Sequence, residues 1–215
     1  MSQETLLSLT VHHEVSAMRV LGLTGGIATG KSAAAAILRE LGAVIVDADD
    51  LAREIVQPGQ EAWRDIVECF GVGILREDKT INREKLRKIV FDDKQARLRL
   101  ESITHPRIRK LAQEKIRGSA AEGADVVIYV APLFFENRVH LWIRPVILVT
   151  CDPETQKRRL RERDRLSDAE VERHLKAQMP LEQKRALADF IIENDGSVED
   201  LKRKLKKLWE EIKSI

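Results

Sequence analysis

Eight consecutive residues restrict the fold of this chain more than any other feature. Gly25-Gly26-Ile27-Ala28-Thr29-Gly30-Lys31-Ser32 has the spacing G-x-x-x-x-G-K-[ST]. Before it runs Met18-Arg19-Val20-Leu21-Gly22-Leu23-Thr24, a β-prone segment, and after it Ala33 to Leu41, a run of good helix formers. The eight residues therefore join a strand to a helix, the context that separates a phosphate-binding loop from a glycine turn with a chance lysine. Glycines let main-chain N–H groups point inward at a polyphosphate without Cβ clashes. The free amides at the helix start, and its dipole, favour that anion. Lys31 can reach the β- and γ-phosphates, and the Ser32 hydroxyl can ligate Mg²⁺.

The rest of the chain alternates in the same way. Ala43-Val44-Ile45-Val46 reads as a buried parallel strand ending in Asp47-Ala48-Asp49-Asp50, at the sheet edge where ligands of open α/β sheets bind. Further strands are expected at Asp125–Val130, Pro145–Thr150 and Phe190–Ile192. Between the second and third, residues 61–118 read as mostly helical, with Asn82 as a cap and with Pro106 as the first residue of a new helix. This block is a candidate inserted unit, with Trp63, Phe70 and Phe91 as core residues; Trp142, beyond it, reads as core too. Asp152-Pro153-Glu154-Thr155 opens a cationic helix within residues 152–180, and Ser197 with Asp200 resembles a capping box before a final amphipathic helix. Alternating strands and helices indicate an α/β fold, a parallel sheet with helices on both faces.

Composition removes several classes of function. With 37 basic and 35 acidic residues the formal net charge is +2, so the global basic excess of a nucleic-acid binder is absent. No apolar run has the length of a membrane span. Cys69 and Cys151 lack metal-like spacing and read as reduced thiols of a cytoplasmic protein. Residues 1–17 lack the charged start and apolar core of a secretory signal; they read as a disordered tail, and Met18 as an alternative start.

A phosphate loop alone specifies a nucleotide, not a reaction. Asp47 at the strand end could orient a hydroxyl or accept its proton, and Asp49 could act through Mg²⁺-bound water. The alternative is an N-cap pair opening the helix at Leu51. Arg159 and Arg163, four residues apart, share a helix face and could meet phosphate charge; a solvated basic face paired with Glu154, Glu162 and Asp164 is the alternative. Arg53, His105 and Arg107 are candidate groups for a second, phosphate-bearing substrate, although the proline after His105 alone explains a helix boundary.

Beyond these features the chain resembles the dephospho-coenzyme A kinase family. The matching segments are Gly22 to Ile27 with Gly30-Lys31-Ser32, Asp47-Ala48-Asp49 with Ala52-Arg53, Val90-Phe91, His105-Pro106 and Pro132-Leu133-Phe134-Phe135-Glu136. Gln156 with Arg159 and Arg163, Ala177-Gln178, Ala188-Asp189 and Asn194 complete an ordered set from about Met18 onward. The resemblance implies a P-loop NTP hydrolase-like core, a helical acceptor-binding insert (about 61–118) and a lid (about 152–180) within one domain, 18–215. It implies transfer of the ATP γ-phosphate to the ribose 3′-hydroxyl of dephospho-coenzyme A, in a monomer or small homo-oligomer. By position, Gly25 to Ser32 would hold ATP and Mg²⁺, Asp47 would be the base, Arg159 and Arg163 lid arginines, and Asn194 would lie near the adenine. Ala28-Thr29 stands where the family often has Gly-Ser, and Phe134 replaces a usual leucine.

Two rivals share parts of this pattern. A kinase of nucleoside monophosphates would have the loop and the lid but not Asp47-Ala48-Asp49 with His105-Pro106. A nucleotide-dependent switch would use Lys202, Arg203, Lys204, Lys206 and Lys207 to dock on a partner, although an amphipathic helix with a wet cationic side accounts for those residues too.

Overall fold

β-Branched and leucine-rich segments form five strands: β1 (Arg19–Gly25), β2 (Val44–Asp47), β3 (Val126–Val130), β4 (Val146–Thr150) and β5 (Phe190–Glu193). The structure, a computed structural model, describes residues 18–214; the expected tail at 1–17 lies outside them. The strands pair in the order β2-β3-β1-β4-β5, and every pairing is parallel. The two strands flanking β1 are buried along their whole length, which is why they read as unbroken apolar runs.

Alternate residues of these strands supply two cores. On one face Leu21, Leu23, Ile128, Ile147 and Val149 pack against α1 (Lys31–Glu40) and the last helix, α9 (Val198–Ser214). The stripe of α9 is Leu201, Leu205, Leu208, Trp209 and Ile212. Ser197 and Asp200 bond reciprocally at its start, as the capping pattern predicts. On the other face Val127, Tyr129 and Val146 meet α2 (Ala48–Glu54), the segment 131–143 and the C-terminal half of a long helix, α5 (Lys94–Ala121).

Between β2 and β3 lies a helical block with its own hydrophobic cluster. Helices α3 (Glu61–Phe70) and α4 (Arg83–Asp92) surround Ile66, Ile74, Ile81 and Leu86, with Leu100 and Ile103 of α5 against them. Asn82 caps α4 through Lys85 N–H, as expected. Two expectations fail here. Pro106 does not open a new helix; it lies inside α5, which runs unbroken for 28 residues. Proline removes one N–H, the one that would bond Ser102 O; in the same turns Thr104 Oγ1 donates to Leu100 O, and Arg107 Nη1 to Ile103 O. Phe91 is not core; it is 84% exposed on α4. Trp63 and Phe70 are partly buried against the insert core, as expected.

After β4 come α6 (Pro153–Asp164), capped by Asp152, then α7 (Asp168–Lys176) and α8 (Leu181–Leu187). The cationic tract thus divides into two helices, and α8 follows it as a short third that periodicity did not reveal. The two cysteines are free thiols, Cys151 buried and Cys69 exposed.

Candidate active site

β1 runs straight into the glycine loop, and the loop into α1. Gly30 takes a φ of +99° as the residue before α1, so a side chain is disfavoured there. Ala28 also has a positive φ, +61°, without being glycine. The loop borders a cavity of about 840 Å³ whose wall includes Lys31, Ser32, Asp49, Arg159, Arg163 and Gln178. Two separate sequence expectations therefore meet in space: the loop and the arginine pair of α6 face one another across the cavity.

Not every loop residue faces it. Thr29 is fully buried, and its hydroxyl donates to Gly26 O at 2.9 Å. Asn194, expected near a base, lies beneath the loop instead: it is buried, and its Nδ2 donates to Thr29 O at 2.9 Å. Its main-chain carbonyl accepts from Arg159 Nη1 at 2.7 Å. One residue after β5 thus braces the loop with its side chain and an arginine with its backbone. The apex residue Ile27 is held on both sides: Gln178 Oε1 accepts from its N–H at 2.9 Å, and Gln156 Nε2 donates to its carbonyl at 2.8 Å.

A second cavity, of about 670 Å³, opens beside the first. Its wall is largely apolar and aromatic, with Tyr129, Leu133, Val139 and Trp142, and carries His105 and the cations Arg109 and Arg138. Arg109 stacks over Trp142, its guanidinium 5.2 Å from the ring centroid. Trp142, expected in the core, packs partly buried against the sheet core and also lines this cavity. Asp49 and Pro132 line both cavities.

The two aspartates at the end of β2 separate in role. Asp47 caps α2, its Oδ1 accepting from Asp49 N–H at 2.8 Å. It borders neither of the two cavities but a third depression along β2. Asp49, the second residue of α2, lies at the junction of the two cavities. Tyr129, on the neighbouring strand, feels both charges; burial first, then Asp47 and Asp49, push its phenol up to about 12. It stays protonated at neutral pH.

The predicted acceptor groups divide as well. His105 lines the second cavity. Arg107 does not: its Nη2 pairs with Asp65 at 2.5 Å and its Nη1 holds Ile103 O, tying α5 to α3. Arg53 is exposed and pairs with Asp50 at 2.8 Å, outside both walls. Arg109 was missed, yet a signal existed: in a continuous helix His105 and Arg109 are four apart and share a face, whereas Arg107 is on another. The assumed break at Pro106 hid it.

The architecture agrees with the relatives of this chain. The sequence model of one family, described as dephospho-CoA kinase, matches residues 19–200. The chain belongs to the dephospho-CoA kinase family. The dephospho-CoA kinase of Geobacter sulfurreducens is 47% identical over 192 residues, covering 89% of this chain and 98% of the relative. A crystal structure of a protein from Thermus thermophilus superposes with a TM-score of 0.77 at 33% identity, covering 90% of this chain and 97% of the other. The dephospho-CoA kinase of Campylobacter jejuni gives a TM-score of 0.63 at 31% identity, covering 91% and 97%. Membership of the dephospho-CoA kinase family makes the chain a phosphotransferase, and its five-stranded parallel sheet is that of the phosphate-loop kinases.

Proposed function

We propose that the chain transfers the γ-phosphate of ATP to the ribose 3′-hydroxyl of dephospho-coenzyme A, with the glycine-loop cavity taking ATP and the aromatic cavity taking the acceptor. The observation that carries this reading is Asp49, common to both walls. Phosphoryl transfer asks the protein mainly to position reactants and neutralise charge, with one carboxylate to orient the nucleophile. A carboxylate at the junction can accept the hydroxyl proton as the oxygen attacks; Asp47, whose Oδ1 caps α2, borders neither of the two cavities. Asp49 therefore takes the base role that the resemblance gave to Asp47.

Lys31, Arg159 and Arg163 face the cavity from two sides and meet the phosphate charge. Ser32, a hydroxyl on the loop wall, suits Mg²⁺, an ion that keeps water and phosphate oxygens in its shell, and Asp49 on the same wall would meet the ion only through its bound water. Among the described residues no group of three or more His, Cys, Asp or Glu forms a metal cage. When bound, Mg²⁺ would supply further neutralisation of the phosphates. In the acceptor cavity the flat aromatic wall suits the adenine, and His105, Arg109 and Arg138 suit the diphosphate. The reaction belongs to coenzyme A formation, the substrates are soluble, and we place the enzyme in the cytoplasm; among the described residues no helix is long and apolar enough to cross a membrane.

Acceptor-dependent release of ADP tests the assignment. Asp49→Asn should lower turnover by about 10²–10⁴-fold, the usual contribution of a positioned base, and leave binding of an ATP analogue nearly unchanged. Asp47→Asn should retain most activity, since asparagine caps a helix as well as aspartate. Equal losses in the two variants would reject the assignment of Asp49. Release of ADP that ignores dephospho-coenzyme A but follows a nucleoside monophosphate would reject the acceptor.

A further inference from the structure

A lysine with no solvent exposure sits beside the site without touching it. Lys184, on α8, is completely buried, and its Nζ lies 2.9 Å from Glu136 Oε1. It also approaches Pro132 O at 3.4 Å. The same Glu136 oxygen accepts from Met179 N–H at 2.9 Å. Burial of a charged pair gives weak net stability, because desolvation opposes the attraction. Its value here lies in geometry. Glu136 fixes Met179, the residue after Gln178, and Gln178 Oε1 holds the N–H of Ile27 at the loop apex.

We propose that Gln178 is a positioning residue for the nucleotide loop and that the buried Glu136–Lys184 pair sets it in place. The Ile27 N–H belongs to the peptide unit whose carbonyl, Gly26 O, accepts from Thr29 within the loop, and Gln178 is the partner on its N–H side. Gln156, itself buried, holds Ile27 O in the next unit, so loss of Gln178 frees one side of the apex and leaves the other braced. The pair reaches the loop through the 178–179 segment. This inference rests on the ATP assignment above, and the test separates the two.

The measurement is the Kd of a non-hydrolysable ATP analogue, alongside KM for both substrates and Tm. Gln178→Met keeps the side-chain length and removes the acceptor. It should weaken analogue binding by about tenfold, the effect of one lost hydrogen bond of about 1.4 kcal/mol, and leave KM for the acceptor within about twofold. Lys184→Met should weaken it similarly. The double variant Q178M/K184M should bind no more weakly than the weaker single variant, because both act through one contact. Should Lys184→Met fail to fold, E136Q/K184M removes both charges together and takes its place in the cycle. A pair that only stabilises the fold would lower Tm and leave the Kd in place. Unchanged Kd in Gln178→Met, or independent multiplying losses in the double variant, overturns the proposal. Failure of the unmodified protein to bind the analogue would instead reject the ATP assignment.

Discussion

Gly22, in the middle of β1, should not tolerate even a methyl group as long as Phe134 faces it. A Cβ built on Gly22 would meet Cζ, Cε2 and Cε1 of the Phe134 ring at 2.2, 2.6 and 3.1 Å. Phe134 is fully buried, with Tyr129 and Phe135 rings 6.3 and 5.8 Å away, so the ring has little room to retreat. With open space, alanine in a strand would be better than glycine by roughly 0.5–1 kcal/mol. Overpacking of a filled core costs about 1–3 kcal/mol and reverses the sign. The net is about 1–2 kcal/mol of destabilisation, or a Tm lowered by about 2–8 °C at this chain length. Phe134→Leu alone should cost about 1–2 kcal/mol through the space it leaves. Together the two changes should cost less than their sum by about 1 kcal/mol, because the new methyl fills part of that space. Urea unfolding of the four proteins measures the cycle. A higher Tm in Gly22→Ala, or costs that simply add, would refute the reasoning.

Three further expectations follow from local geometry. Tyr129 is the sole tyrosine of the chain, so absorbance at 295 nm reports it alone; it should ionise near about 12 rather than 10, and an ordinary midpoint would show that the phenol is neither buried nor near the aspartates. Ala28→Gly should raise stability by roughly 1 kcal/mol in thermal unfolding, because Ala28 holds a left-handed backbone that glycine adopts freely. Burial pushes the Glu136 carboxyl up, but the bonds from Lys184, its own N–H and Met179 N–H outweigh burial and hold it below its ordinary 4.5. A depressed carboxyl stabilises the fold above the unfolded value and loses that contribution as pH falls through the folded one. The Tm gap between the unmodified protein and Glu136→Gln should therefore be widest near neutrality and close in acid; a gap independent of pH would refute it.

The sheet was legible because each strand is an apolar run with turn chemistry on both sides; β3 and β4 are buried on both faces and leave no alternation to misread, while the edge strands β2 and β5 are only partly buried. The glycine loop was legible because its chemistry is local: the residues that shape it are adjacent in sequence. Sequence reading failed where a role depends on which way a side chain turns. Asp47 and Asp49 are equally placed as text, and only the cap bond to Asp49 N–H tells them apart. Asn194 follows a strand at the ligand edge, yet it turns beneath the loop rather than toward it. Pro106 shows the limit of a local rule: the missing N–H is real, but the helix runs unbroken across it. Phe91 shows the reverse, an aromatic at helical spacing whose face has no neighbour.

Helix α5 gives its first half to the insert core and its second, through Ala112 and Ile116, to the sheet. At 28 residues it is a rod of about 42 Å, and neither core is complete without it. Melting either end exposes apolar surface that the other end alone cannot cover. Heat and denaturant should thus find one cooperative unit, and a protease should find no stage at which the insert has opened while the nucleotide-binding half stands.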